Sequence, residues 1–160
     1  WVPSQSRPLT LNIIWGGPRA SEINVAIEGF VAGLTGVRRG FGPSATLGVI
    51  EADTLVAGVV FHNWQPEEGV IEMSSASTSK RWLCRPVLNA MFGFAFNECN
   101  CQLVVLRVSE RNAGMIDIAR RFGFSETLIP RLRGRDEAEF IFTFTDDAWR
   151  KHRANYERIL

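Results

Sequence analysis

The sequence predicts an α/β fold with a mixed, mostly antiparallel central sheet, one parallel strand pair and helices on both faces. Three observations predict it. The elements read β-α-β-β-β-α-β-α-β-β-α along the chain. The strand–helix–strand unit from Val70 to Val108 needs a right-handed crossover and hence parallel pairing. The hairpin before it, turning at Glu51-Ala52-Asp53-Thr54, is antiparallel. A length of 160 residues, 46% of them hydrophobic with eleven Phe and five Trp, suits one domain over residues 1–160 with one core.

Each element has a local cause. Leu9 to Trp15 reads as a strand, stopped by Gly16-Gly17-Pro18. Ser21 is placed as the N-cap of a helix to about Leu34, with Ile23, Ala26, Ile27, Phe30, Val31 and Leu34 at helical spacing. Gly36 to Pro43 reads as a loop. Leu47–Ile50 and Leu55–Phe61 form the hairpin, and Pro66-Glu67-Glu68-Gly69 turns into a third run, Val70–Ser74. After a small polar stretch, Ser75 to Lys80, a helix is expected from about Trp82 to Asn97. Its core face is Cys84, Val87, Leu88, Met91, Phe92 and Ala95. Leu103–Val108 is apolar except for Arg107, as in a sheet interior. Asn112 caps a helix faced by Met115, Ile118, Ala119 and Phe122, and Gly123 ends it. Ser125–Ile129 and Glu139–Phe144 are the last strands. Residues 146–160 form a C-terminal helix extension striped by Trp149, Tyr156 and Leu160.

Composition narrows the function. A formal net charge of +1 disfavours a general nucleic-acid binder, which carries a basic excess. No segment approaches the roughly 18 apolar residues of a membrane span, and Trp1 to Pro8 does not read as a signal peptide. Three cysteines, Cys84, Cys99 and Cys101, with no CxxC pair indicate neither a disulfide framework nor a zinc site. No metal is expected, and the expected compartment is a reducing, cytoplasmic one.

Arg111-Asn112, followed by Ala119-Arg120-Arg121-Phe122-Gly123-Phe124, resembles the Asn-led helix of the GNAT acetyltransferases, which ends in a Gly-Phe pair eleven residues after the Asn. The helix from Trp82, closing on Phe94-Ala95-Phe96, is similar to the coenzyme helix of the branch containing the ribosomal-protein N-terminal acetyltransferases. The resemblance covers roughly residues 46–144. It implies acetyl-CoA as co-substrate, held where the parallel pair makes a coenzyme cleft, and direct attack by an amine. The chain departs from the family at the pyrophosphate loop. Ser79-Lys80-Arg81-Trp82-Leu83-Cys84 contains no glycine, where the family has two small positions.

The candidate site follows. A helix starting near Trp82 offers unpaired amides and a positive dipole end, with Lys80, Arg81 and Arg85 adding charge. Coenzyme contacts are therefore assigned to Ser74, Arg81, Trp82, Leu83, Cys84 and Arg85, with Asn112 on the pantetheine arm; otherwise the segment is a solvated basic helix start. The family often uses a carboxylate on the strand before the coenzyme helix as base. Glu72 is the one carboxylate between Val70 and Ser79; otherwise it faces outward. The family's general acid, a tyrosine, has no match, since Tyr156 is the single tyrosine; Ser109 or a water remains. Cys84 reads as a core thiol, and His62 and His152 as isolated histidines. Arg131, Arg133 and Arg135 occupy the substrate-facing loop of the family and suit an acidic partner or phosphate, unless Asp136, Glu137 and Glu139 answer them.

The expected function is an acetyl-CoA-dependent N-acetyltransferase for an amine-bearing acceptor, protein or small molecule, and a homodimer is compatible with it. The rivals are a catalytically degenerate GNAT-shaped binding or assembly protein, which the missing glycines and tyrosine favour, and a nucleic-acid module using the arginine loop.

Overall fold

The computed structural model describes residues 11–158. Its elements are β1 (Leu11–Gly16), α1 (Ser21–Thr35), β2 (Ser44–Glu51), β3 (Thr54–Gln65), β4 (Val70–Ser77), α2 (Arg85–Gly93), a π-helical turn (Phe94–Glu98), β5 (Leu103–Ser109), α3 (Ala113–Phe122), β6 (Ser125–Ile129), β7 (Glu139–Thr145) and α4 (Asp146–Arg158). The strands form one sheet in the order β1-β2-β3-β4-β5-β7-β6. Every neighbouring pair is antiparallel except β4 and β5, which are parallel.

Local chemistry explains the connections. Ala52 and Asp53 turn the β2–β3 hairpin with φ of 48° and 62°, the double positive φ that matches strand twist in a two-residue turn. Asn112 Oδ1 accepts from the Met115 amide at 3.2 Å, and Gly123 closes α3 at φ 96°. Gly48 and Gly58 pair across β2 and β3. A Cβ on either would meet Ile27 at 3.0 Å, so this glycine pair lets α1 seat closely on the sheet.

The sheet separates two apolar layers. Ile27, Val31, Phe41 and Val60 pack on the α1 side. On the other side Val87, Met91, Phe92, Ala119 and Trp149 fill the space beneath α2, α3 and α4. Phe92 lies 4.9 to 6.3 Å, centroid to centroid, from Phe96, Phe122, Phe124, Phe144 and Trp149.

Several boundaries differ from expectation. Ala20, not Ser21, precedes α1 and makes no side-chain cap. Ile23 and Leu34 lie at the exposed flanks of the helix stripe, because the fully buried contacts of α1 with the sheet are centred on Ile27 and Val31. β4 continues through the small serines to Ser77, since β3 offers it partners that far. The expected helix start at Trp82 is corrected to Arg85. A helix begun at Trp82 would place Pro86 beyond the first turn, where its ring clashes with the carbonyl four residues back. Leu9 and Leu160 lie outside the described residues, as does the side chain of Tyr156. Among the described residues no helix is long and apolar enough to cross a membrane.

The functional consequence lies in the parallel pair. β4 and β5 are partners only at Val70–Leu103, Ile71–Val104 and Glu72–Val105. Beyond that, β4 stays with β3 up to Ser77 and β5 stays with β7 up to Ser109. The two strands therefore part at their C-terminal ends.

Candidate active site

Parting strands leave a trough on the α1 side of the sheet. Its central part, about 510 Å³, runs between Met73–Ser75 on β4 and Leu106–Ser109 on β5. One end opens into a recess of about 320 Å³ that includes Ser77, Trp82 and Gly114; Leu34, Thr35, Ser75, Asn112 and Met115 line both. The other end opens into a recess of about 330 Å³ holding His62, Asn63 and Glu72; Val37, Ser74, Arg107 and Arg133 line both. These volumes suit small molecules, and the position, at strand C-terminal ends, is where open α/β sheets bind ligands.

Pleating decides what the inner recess contains. Ile71, Met73, Val104 and Leu106 point into the large core, so Glu72, Ser74 and Arg107, alternate to them, point the other way. Glu72 accepts from Asn63 Nδ2 at 2.7 Å. Asn63 reaches it because β3 is irregular between His62 and Gln65, with Asn63 at φ 49°; bulges commonly re-aim side chains beside sites. His62 is the direct cross-strand partner of Glu72. Its Nε2 lies 2.9 Å from Ser74 Oγ and 3.9 Å from Glu72 Oε1, and its ring lies 5.1 Å from that of Phe41. Burial lowers the His62 pKa below its ordinary value, and Arg107 lowers it further; Glu72 and Glu28 pull the other way without prevailing. The imidazole is therefore neutral at neutral pH.

The far wall carries arginines. Glu139 is 2% exposed and bridges two guanidiniums. Arg107 donates to its Oε2 from Nη2 at 2.8 Å and from Nε at 3.3 Å, and Arg133 donates from Nε to Oε1 at 3.3 Å. The hydrogen bond with Glu139 raises the Arg107 pKa. Nearer the mouth, Glu137 is 3.0 Å from Arg111 and accepts from Ser109 Oγ at 2.9 Å. Ser109 is thereby held in a structural contact.

The expected coenzyme residues divide. Ser74 and Asn112 line the trough, and so does Trp82 at its outer end. Trp82 is 4% exposed and belongs to the large core. Leu83 and Cys84 also pack partly against that core. Arg81, Cys84 and Arg85 line none of the three recesses. The backbone of the segment is open, however. The amides of Trp82, Leu83, Cys84 and Val87 find no acceptor among the described residues, and the first intrahelical bond runs from the Leu88 amide to the Cys84 carbonyl. Of the loop arginines, Arg133 is in the site; Arg131 and Arg135 are exposed outside it.

By sequence, no family model and no curated protein matches the chain. By structure it is similar to the spermidine/spermine N-acetyltransferase SpeG from Vibrio cholerae, solved in complex with manganese ions. That match has a TM-score of 0.68 and 12% identity, over 88% of this chain and 95% of SpeG. It is also similar to yncA from Salmonella typhimurium, solved with its cofactor acetyl-CoA, at TM-score 0.57 and 16% identity over 84% and 93% of the two chains. A structure described as a probable acetyltransferase matches at TM-score 0.56 and 15% identity, and the chain spans 62% of its length. The chain has the GNAT fold.

That likeness is one of fold and does not single out the ribosomal-protein branch. Within the GNAT fold, the sequence reading missed His62 and Arg107. The first had no simple signal: counting back through the hairpin from the Gln65–Val70 pair sets Asn63 opposite Glu72, and only the irregularity between His62 and Gln65 brings His62 there. The second was the lone charge in an apolar strand, and such a residue on a central strand needs a partner. Glu139, one expected answer to the loop arginines, does answer Arg133, but nothing local pointed to Arg107 as its second partner.

Proposed function

We propose that the chain is an acetyl-CoA-dependent N-acetyltransferase in which an amine attacks the thioester directly. The observation that supports it best is the parting of β4 and β5 immediately after Glu72. This sets a carboxylate at the inner end of an interstrand trough, with a row of unpaired amides near the outer end.

The residues present fit coenzyme A. From Met73 onward the β5-facing edge of β4 has no strand partner, so its backbone groups suit the peptide-like pantetheine arm, as in strand addition. The amides of Trp82, Leu83, Cys84 and Val87 suit a diphosphate, with Arg81 and Arg85 as outer charges and Asn112 beside the arm. Bound there, the coenzyme supplies an acetyl thioester: the amine nitrogen bonds to its carbonyl carbon, the C–S bond breaks, and sulfur leaves with the electron pair and takes up a proton.

The protein's own work is to hold the amine and take its proton. An amine is protonated at neutral pH, so Glu72 attracts the ammonium and accepts the proton that frees the lone pair. Neutral His62 is a second acceptor, reached through Ser74 Oγ at 2.9 Å. Ser74 lines both trough and inner recess, which supports a role for this pair at the junction of thioester and amine. Glu72→Gln should cut kcat by about 10²–10⁴ while acetyl-CoA affinity by calorimetry changes little. Equal losses in coenzyme affinity would remove Glu72 from the base role.

An alternative, a GNAT-shaped binding protein without turnover, is favoured by one observation: a loop without glycine whose Trp82 indole forms the trough wall. Absence of any thermal shift with acetyl-CoA would favour it, because a ligand of the native state must stabilise it.

A further inference from the structure

The inner recess of about 330 Å³ is charged at two separate points. On β4 stands Glu72, which meets the neutral Asn63 amide and, at 3.9 Å, His62. On the β5 and β7 side stand Arg107 and Arg133, two cations answered by the single carboxylate of Glu139. Arg107 is one pleat beyond Val105, the strand partner of Glu72, so the two charged points are neighbours without being paired. Glu139 is fully buried and fixes both guanidiniums, yet their side chains remain 45% and 34% exposed. Arg133 uses only its Nε on Glu139, which leaves guanidinium donors of a planar fork for a ligand. His62 between them is neutral, and Phe41 closes the wall. Glu72 and Arg107 attract each other across the recess without an ion-pair contact, so the recess presents a negative end and a positive end, with no net charge over its two carboxylates and two guanidiniums.

We propose that the acceptor is a small zwitterion of the amino-acid class, its ammonium at Glu72 and its carboxylate on the Arg107–Arg133 pair. This rests on the N-acetyltransferase reading above and specifies its substrate. A carboxylate is the anion that the planar guanidinium fork matches. The ammonium end is then delivered beside Ser74, at the junction with the trough. A polyamine, all cation, would set its second charge against the arginines, and like charges brought together disfavour binding.

The test uses binding and turnover separately. Calorimetry with acetyl-CoA alone decides whether the coenzyme site exists and hence whether the underlying reading stands. The acceptor is then probed, with coenzyme A present, by the twenty α-amino acids as free acids, by the same set as carboxamides, and by spermidine. Charged hydrogen bonds of this kind correspond to about 10- to 100-fold in affinity. At least one free acid is therefore expected to bind that much more tightly than its amide, and spermidine to bind weakly. Arg133→Ala should erase the acid-over-amide preference by raising KM with kcat little changed, and Arg133→Lys should restore it in part. Amides binding as well as acids, spermidine preferred, or no free acid binding at all would each overturn the proposal. A preference that survives Arg133→Ala in a folded protein would do so too.

Discussion

Trp82→Ala joins the stability of the domain to the proposed coenzyme site. Trp82 is 4% exposed and lines both the outer recess of the trough and a small apolar pocket of about 30 Å³ behind it, among Leu83, Met91, Phe92 and Phe122. A buried tryptophan removes about 150–250 Å² from water. At about 25 cal/mol per Å² that is roughly 4–6 kcal/mol as an upper bound. Observed Trp→Ala losses in cores run at about 3–5 kcal/mol. Since a domain of this size loses about 2–4 °C per kcal/mol, Tm should fall by about 6–20 °C. The assay is thermal unfolding followed by ellipticity, with Trp82→Phe as control, which keeps most of the apolar area and should lose about a third as much or less. A fall under about 2 °C in Trp82→Ala would mean that the indole is not part of the core. Calorimetry on Trp82→Phe then reads the site itself. Unchanged acetyl-CoA affinity fits backbone binding, whereas binding that appears only in the variant would mean that the indole blocks the trough.

Further outcomes follow from single contacts. Burial lowers both His62 and His152 below the ordinary 6.5, so the unfolded chain binds more protons as pH falls through that value. Stability by urea titration should be full above about pH 6.5 and decline below it, and His62→Gln should flatten part of that slope; a stability that rises on acidification would refute the assignment. Glu139→Gln leaves Arg107 and Arg133 facing each other across an uncharged amide, and should cost about 1.5–3 kcal/mol of unfolding free energy. Asn112→Ala removes the α3 cap, and about 1 kcal/mol of stability should go with it. Burial pushes Cys99 up to about 11 and raises Cys101 as well, so a thiol reagent at pH 8 should leave both unmodified until the protein is unfolded.

What could be read from the chain divides by distance. The order of elements, the parallel pair and the Asn112–Gly123 helix were legible because each rests on local signals: a crossover, a two-residue turn, a cap and a glycine stop; the insertion of β7 between β5 and β6 has no such signal. Pro86 marks the true start of α2, since it must lie in the first turn, whereas the apolar run reaching back to Trp82 set the expected start too early. Trp82 and Leu83 are apolar because they enter the core from an extended segment, not because they are helical. Within the site, Glu72 was legible as the lone carboxylate on its strand. Its neighbours were not: His62 sits ten residues away across an irregular hairpin, and the Arg107–Glu139–Arg133 bridge forms only when β5 and β7 pair. The three loop arginines looked equivalent in sequence, and it is the position of Glu139 that selects Arg133.

The glycine-free loop bears on whether the site binds coenzyme at all. Glycine serves a phosphate loop by letting the backbone come close. In the proposed coenzyme site, backbone access would come from an extended segment: Trp82 is core-buried, Leu83 and Cys84 are partly so, and their amides find no acceptor among the described residues. Pro86, in the first turn of α2, has no N–H to offer, so the loop preceding the helix must supply most of the donors. If backbone does the binding, side-chain charge around it is secondary. Arg81 is exposed and lines none of the recesses. Its attraction for a diphosphate is screened over about 10 Å at 0.1 M salt and about 3 Å at 1 M. Arg81→Ala should therefore weaken acetyl-CoA binding by about two- to fivefold at low salt, equivalent to the roughly 0.2–1 kcal/mol of an exposed ion pair, and by almost nothing at 1 M. Calorimetry at the two salt concentrations measures it. A loss of 100-fold that persists at 1 M would show that the arginine, not the row of amides, holds the diphosphate.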